Sequence, residues 1–155
     1  MKNKILVCLS LSLSLVSCVT TPTPSSGSSV PASATNLDSI AFPRITSSGW
    51  IRSQTSPELG LNGLPCVRYK SVADRSTSVE IYFQGKSPQW VKTTAPEFIT
   101  IMGHKVQTYG SGNEVVAFAT QPLLLASPDG SSSYYTFDFT GDNLYKSRNI
   151  PTFSW

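Results

Sequence analysis

Ser78-Val79-Glu80-Ile81-Tyr82-Phe83-Gln84 places Val79, Ile81 and Phe83 on one side and Glu80, Tyr82 and Gln84 on the other. That two-residue period belongs to a pleated strand with one face in a core. The residue types agree, because β-branched and aromatic side chains fit a half-buried pleated surface. Gly85-Lys86-Ser87-Pro88 then stops the strand. Ser133-Tyr134-Tyr135-Thr136-Phe137-Asp138-Phe139-Thr140 repeats the pattern, with Tyr135, Phe137 and Phe139 inward and Tyr134, Thr136, Asp138 and Thr140 outward.

Working outward from these two, Val67 and Tyr69 share a face opposed to Arg68 and Lys70, as in a third half-buried strand. Val115, Val116, Ala117 and Phe118 lie in a further strand over 114–120, and Leu123-Leu124-Leu125-Ala126 follows. Between the last of these and 133–140 stands Ser127-Pro128-Asp129-Gly130, where Pro at the first corner and Asp and Gly behind it specify a turn. Gly110-Ser111-Gly112-Asn113 and Gly141-Asp142-Asn143 are turns as well. Pro57, Gly60, Gly63 and Pro65 mark 55–65 as a loop. Residues 39–45 contain Pro43 and are at best an edge strand. Trp50 and Ile51 begin a short apolar piece, and 150–155 either pairs at an edge or lies across the core.

Residues 98–109 read two ways. As a hairpin, 98–102 pairs with 105–109 across Gly103-His104, a Gly-X turn of type II′. As a helix, Thr94 caps it and Phe98, Ile101, Met102 and Val106 form one stripe. The hairpin is preferred, since Ile99, Thr100 and Ile101 are β-branched and Gly103 weakens a helix interior. The sum is an all-β domain over 39–155, a small antiparallel sandwich or open barrel of about six to eight short strands.

The N-terminal part has another character. Lys2 and Lys4 precede an apolar run over 5–16, interrupted by serines and too short to cross a bilayer, which takes about 20 apolar residues. A cationic start, a short apolar segment and small residues behind it describe a secretory signal over 1–17. Leu15-Val16-Ser17-Cys18 closes it. These four residues resemble the lipobox of bacterial lipoproteins, a resemblance confined to residues 1–18. It implies cleavage before Cys18 and attachment of palmitate-like acyl chains to that residue. It also implies a membrane partner held through the lipid, in the cell envelope. Val19, not Asp, follows the cysteine. In the resembled class that pattern implies the outer membrane, and in a cell without one the outer face of the plasma membrane.

Residues 18–38 are dominated by Ser, Thr, Pro and Gly and have almost nothing to bury. They read as a disordered tether. As a flexible coil it spans roughly 25 Å, so the domain need not touch lipid.

The formal charge of +3 includes Lys2 and Lys4. Without them ten Lys and Arg face nine Asp and Glu, and no nucleic-acid footprint remains. Arg44, Arg52, Arg68, Lys70 and Arg75 are scattered and read as a solvated surface. Cys8 leaves with the signal, which makes Cys66 the lone cysteine after Cys18, so no internal disulfide is expected. Cys66 reads as a small buried hydrophobe, with an intermolecular disulfide or a reactive thiol as the alternative.

His104 is the single histidine, placed in a turn. No His-x-x-His, Cys-x-x-Cys, Gly-x-Ser-x-Gly, calcium-loop or phosphate-loop pattern occurs. No metal, cofactor or catalytic residue is therefore assigned. Asp129, Asp138 and Asp142 read as turn and surface acids. Trp90, Tyr82 and Tyr134 form a possible binding surface for a protein or glycan, because exposed aromatics grouped on one side mark contact sites. The expected function is a non-enzymatic, lipid-anchored binding or structural module. A small envelope hydrolase using Ser or carboxylate groups is the alternative, and it calls for a pocket joining His104 to a serine or to two carboxylates.

Overall fold

In the computed structural model, the described residues are 36–85, 97–110, 117–141, 144 and 150–155. The signal, Cys18, most of the tether and Trp90 lie outside them, as do Glu114, Val115, Val116 and Asp142. The chain divides at Ala34/Thr35, and the unit from Thr35 to Trp155 carries the fold.

That unit is antiparallel β-structure. After a 3-10 turn at Leu37–Ser39, capped by the Asn36 side chain, the described strands are β1 Arg44–Ile45, β2 Trp50–Arg52, β3 Glu58–Leu59, β4 Pro65–Ser71, β5 Ser78–Gly85, β6 Glu97–Ile101, β7 His104–Gly110, β8 Ala117–Thr120, β9 Leu123–Ala126, β10 Ser132–Thr140 and β11 Phe153–Ser154. Eleven strands replace the expected six to eight, and the excess is in pieces of two or three residues: β1, β2, β3 and β11. One large sheet runs β2-β4-β5-β10-β8-β7-β6, with β3 also on β4 and β9 also on β10, while β1 and β11 form a separate pair. β2 and β6 end the order without pairing to each other, so the sheet is open.

β10 organises the sheet because it is the longest strand and pairs along both edges. β5 occupies one edge from Ser78 to Gly85. β9 and β8 share the other, β9 against 132–135 and β8 against 138–140. At Phe137, in the gap between β8 and β9, the buried Thr120 hydroxyl accepts the Phe137 N–H at 3.0 Å, so no backbone donor is stranded.

Core packing follows the sequence alternation. Val67, Val79, Ile81 and Phe137 are fully buried, and Tyr135 and Phe139 nearly so. The β1–β11 pair lies over this face. Phe153 meets Phe137 edge-on at 5.1 Å between ring centres and Phe139 at 6.4 Å. Tyr135 donates its hydroxyl to the Ala41 carbonyl at 2.7 Å and contacts Trp155, which draws the entering chain against the same core. Residues 150–155 thus lie across the core, paired to β1 and not to an edge of the large sheet.

Two local expectations are corrected. The 98–109 region is a hairpin, but its turn is Met102-Gly103, with φ of 49° and 82° and Ile101 opposite His104. Positive φ at both corners belongs to a type I′ turn, one residue earlier than the Gly-X reading. The loop over 55–65 contains β3, which pairs Glu58 with Cys66 and Leu59 with Pro65.

Candidate functional site

The face of the large sheet turned away from the core carries the polar chemistry. Strand register aligns Arg68 with Glu80, Glu80 with Asp138, Asp138 with Ala119, and Ala119 with Tyr109. One row of side chains therefore crosses five strands from β4 to β7. With neighbouring strands about 4.8 Å apart, it spans roughly 19 Å.

At the β4 end the charges are matched. The Arg68 Nε donates to Glu80 Oε1, and the Tyr82 hydroxyl donates to Glu80 Oε2. Arg68 Nη1 stands 3.8 Å from Glu58, and its backbone N–H donates to Gln54 Oε1 at 2.6 Å. With both oxygens occupied, the Glu80 carboxylate is fixed in place. Direct hydrogen bonding to a charged partner is stronger than between neutral groups, which favours this geometry.

Asp138 differs. It sits between Glu80 and the methyl group of Ala119, and among the described residues no cation pairs with it. Burial first, then the neighbouring Glu80 charge, pushes its carboxyl up to about 6. The pair thus holds one carboxylate pinned by Arg68 and one carboxyl that changes charge near neutral pH. The Tyr109 hydroxyl is raised by burial and secondly by Asp138, which places the ring and the acid in electrostatic reach. Because Ala119 is small, the row dips between Asp138 and Tyr109. An open groove of about 340 Å3 lies there, lined by Glu80, Asp138, Tyr109, Phe118, Gly110 and Thr140 among others.

A larger concavity of about 500 Å3 lies beside Trp50, Asp74, Thr77, Leu144 and Ile150. The one carboxylate among its described lining residues is already used: Asp74 accepts from the Ser76 amide and hydroxyl and the Thr77 hydroxyl, which hold it below the usual carboxylate range. These bonds close the turn before β5, so the smaller groove is the better candidate site.

Of the three sequence-derived aromatics, the two described ones, Tyr82 and Tyr134, do not form an exposed cluster. Trp90 lies outside the described residues. Tyr82, expected on an exposed face, is 5% exposed. The chain around Gly60 folds over its ring so closely that a Cβ on Gly60 would stand 2.5 Å from Tyr82 Cε1. Burial and the bond to Glu80 push the Tyr82 hydroxyl up. Tyr134 is half-buried opposite Leu124, in a different row. Sequence reasoning missed Tyr109 and the Glu80–Asp138 contact. The alternation did place both acids outward; only the β5–β10 register could have made them neighbours.

Cys66 is fully buried, in the row of Tyr82 and Thr136, and burial and then Glu80 push its thiol up. His104 is exposed at the start of β7. Four strand steps, roughly 19 Å, separate β4 from β7, so these two residues do not form a nucleophile–base pair. Among the described residues no three His, Cys, Asp or Glu side chains converge as a metal set, and no helix is long and apolar enough to cross a membrane. No family model, curated protein or solved structure matches the chain.

Proposed function

We propose that this chain is a lipid-anchored envelope protein whose β domain is a non-enzymatic binding module for a glycan or protein ligand. The anchor reading rests on Leu15-Val16-Ser17-Cys18 behind a short cationic and apolar segment. The Val19 that follows supports the outer membrane as the address, with the outer face of the plasma membrane as the alternative. Cys18→Ser should make membrane association sensitive to salt, so that a salt wash moves the protein into the soluble fraction. Membrane association that survives both this change and a salt wash would remove the anchor.

One observation carries the binding reading: the row that sets Glu80 and Asp138 beside the 41% exposed Tyr109 along an open groove. Carboxyl oxygens accept bonds from sugar hydroxyls or from ammonium and guanidinium groups, while the Tyr109 ring supplies an apolar surface with a polar tip. A pull-down from envelope extract with the unlipidated chain identifies the ligand. Asp138→Ala and Tyr109→Ala should each weaken its capture, and capture unchanged in both variants sinks the groove as the site.

The raised carboxyl of Asp138 beside the Arg68-bound Glu80 favours a second reading, a small hydrolase acting on glycans. Cross-strand neighbours have Cβ atoms about 5 Å apart, comparable to the carboxyl spacing of roughly 5 Å in retaining glycosidases. Asp138 would hold the proton and Glu80 the charge. Turnover of envelope glycan that disappears in both Glu80→Gln and Asp138→Asn would select this reading over simple binding.

A further inference from the structure

Four cations stand near one rim of the large sheet, and among the described residues none forms an ion pair with an Asp or Glu side chain. β2 ends the strand order, and its outer edge pairs with nothing among the described residues. Ile51 lies opposite Lys70, and Arg52 opposite Tyr69. The Val72 amide donates to the Gly49 carbonyl at 2.8 Å, which joins 49–52 and 69–72 into one strip. Arg44, on β1, donates from Nη2 to the Trp155 carbonyl at 2.9 Å and stands within electrostatic reach of the strip. Burial raises the Tyr69 hydroxyl, and both Arg52 and Arg44 pull it back, so both guanidinium groups lie near that ring. Arg75 stands in the turn that follows Val72.

Arg44, Arg52, Lys70 and Arg75 are all exposed, and among the described residues only Arg68 forms ion pairs. Asp74, the acid nearest in sequence, is committed to Ser76 and Thr77. Ile51, on the same face as Lys70, is 56% exposed and Val72 61% exposed, while Arg52 projects on the other side of the rim, the side of Tyr69. A solvated basic face has no use for two protruding aliphatic side chains. A nucleic-acid backbone would satisfy the cations and offer nothing to Ile51 and Val72. An anionic bilayer takes both, since its phosphates attract the cations and its acyl boundary receives the aliphatic groups.

We infer that the β2–β4 rim docks on an anionic lipid surface. The strip lies apart from the groove, which is centred on β10, and it requires no acyl chain on Cys18. Its test therefore uses the chain from residue 18 with Cys18→Ser, which contains the whole unit from Thr35 onward. Failure of this test leaves the anchor reading untouched.

The chain is sedimented with phosphatidylcholine vesicles and with vesicles of equal parts phosphatidylcholine and phosphatidylglycerol. It should pellet with the anionic vesicles only, and added salt should release it. Lys70→Gln and Arg52→Gln should each weaken binding about fivefold. Ile51→Ser should weaken it without changing the salt dependence, and Leu124→Ser, in the β9 strand, should have no effect. Circular dichroism confirms that each variant is folded. Equal binding to both vesicle types, binding to neither, or parental binding by the folded cation variants overturns the inference. Capture by soluble polyglutamate as tight as by the anionic vesicles also overturns it, in favour of an acidic protein partner.

Discussion

Asp138→Asn should stabilise the domain at neutral pH and leave it unchanged in acid. The carboxyl is raised from the ordinary 3.8 to about 6, by burial first and by Glu80 second. The folded protein therefore holds this proton more tightly than the unfolded chain does. Below about pH 4 both states are protonated and the group carries no penalty. Between about pH 4 and pH 6 the unfolded chain ionises first and folding stability falls; above that range both states are ionised and the whole loss persists. At about 1.4 kcal/mol per pH unit, the full loss is about 3 kcal/mol. The side chain keeps some contact with water, so about 2 kcal/mol is the working figure. Asparagine has the same shape and no charge to desolvate, so the variant escapes the penalty. Urea unfolding of both proteins across the acid-to-neutral range measures the difference directly. It should grow from near zero to about 2 kcal/mol and then level off. A difference that is constant with pH, or a variant less stable than the parent at neutral pH, would refute the argument that Asp138 sits desolvated beside an ionised Glu80.

Gly60→Ala forces a methyl group to within 2.5 Å of the buried Tyr82 ring, and should lower stability by about 1–3 kcal/mol in thermal melts. An unchanged melting temperature would mean that the 53–64 segment does not rest on the outer sheet face. Phe153→Ala removes the ring that Phe137 and Phe139 contact, and should cost about 3–5 kcal/mol in denaturant unfolding. A loss below about 1 kcal/mol would show that β11 does not close the core. Cys66 should resist aromatic disulfide reagents at neutral pH until the chain unfolds, since its thiol is buried and raised. Stoichiometric labelling of the native protein would contradict its placement.

The long strands were legible because their periodicity is local. Val79, Ile81 and Phe83, and Tyr135, Phe137 and Phe139, state their core face without reference to any partner. β3 was not legible as a strand, and β1 and β11 were legible only as edge candidates without a partner, because a two-residue ladder carries no period and exists only through its partner's backbone. The hairpin turn was misplaced because Met102, not a second glycine, occupies a corner with φ of 49°. Tyr82 shows the main limit of alternation: it assigns a residue to a side of the sheet and is silent on whether that side is covered. The acid pair shows another, since Glu80 and Asp138 are distant in sequence and adjacent only in register.

The pairing of β1 with β11 has a kinetic consequence. Arg44 and Ile45 find their partners at Ser154 and Phe153, over a hundred residues further along. Such non-local contacts raise the contact order and slow folding, because the loop entropy must be overcome before the contact rewards it. During synthesis the upper layer of the core has no second strand until the ribosome has made residue 154. Until then β1 lacks its partner and the Phe153 ring is missing from beside Phe137 and Phe139.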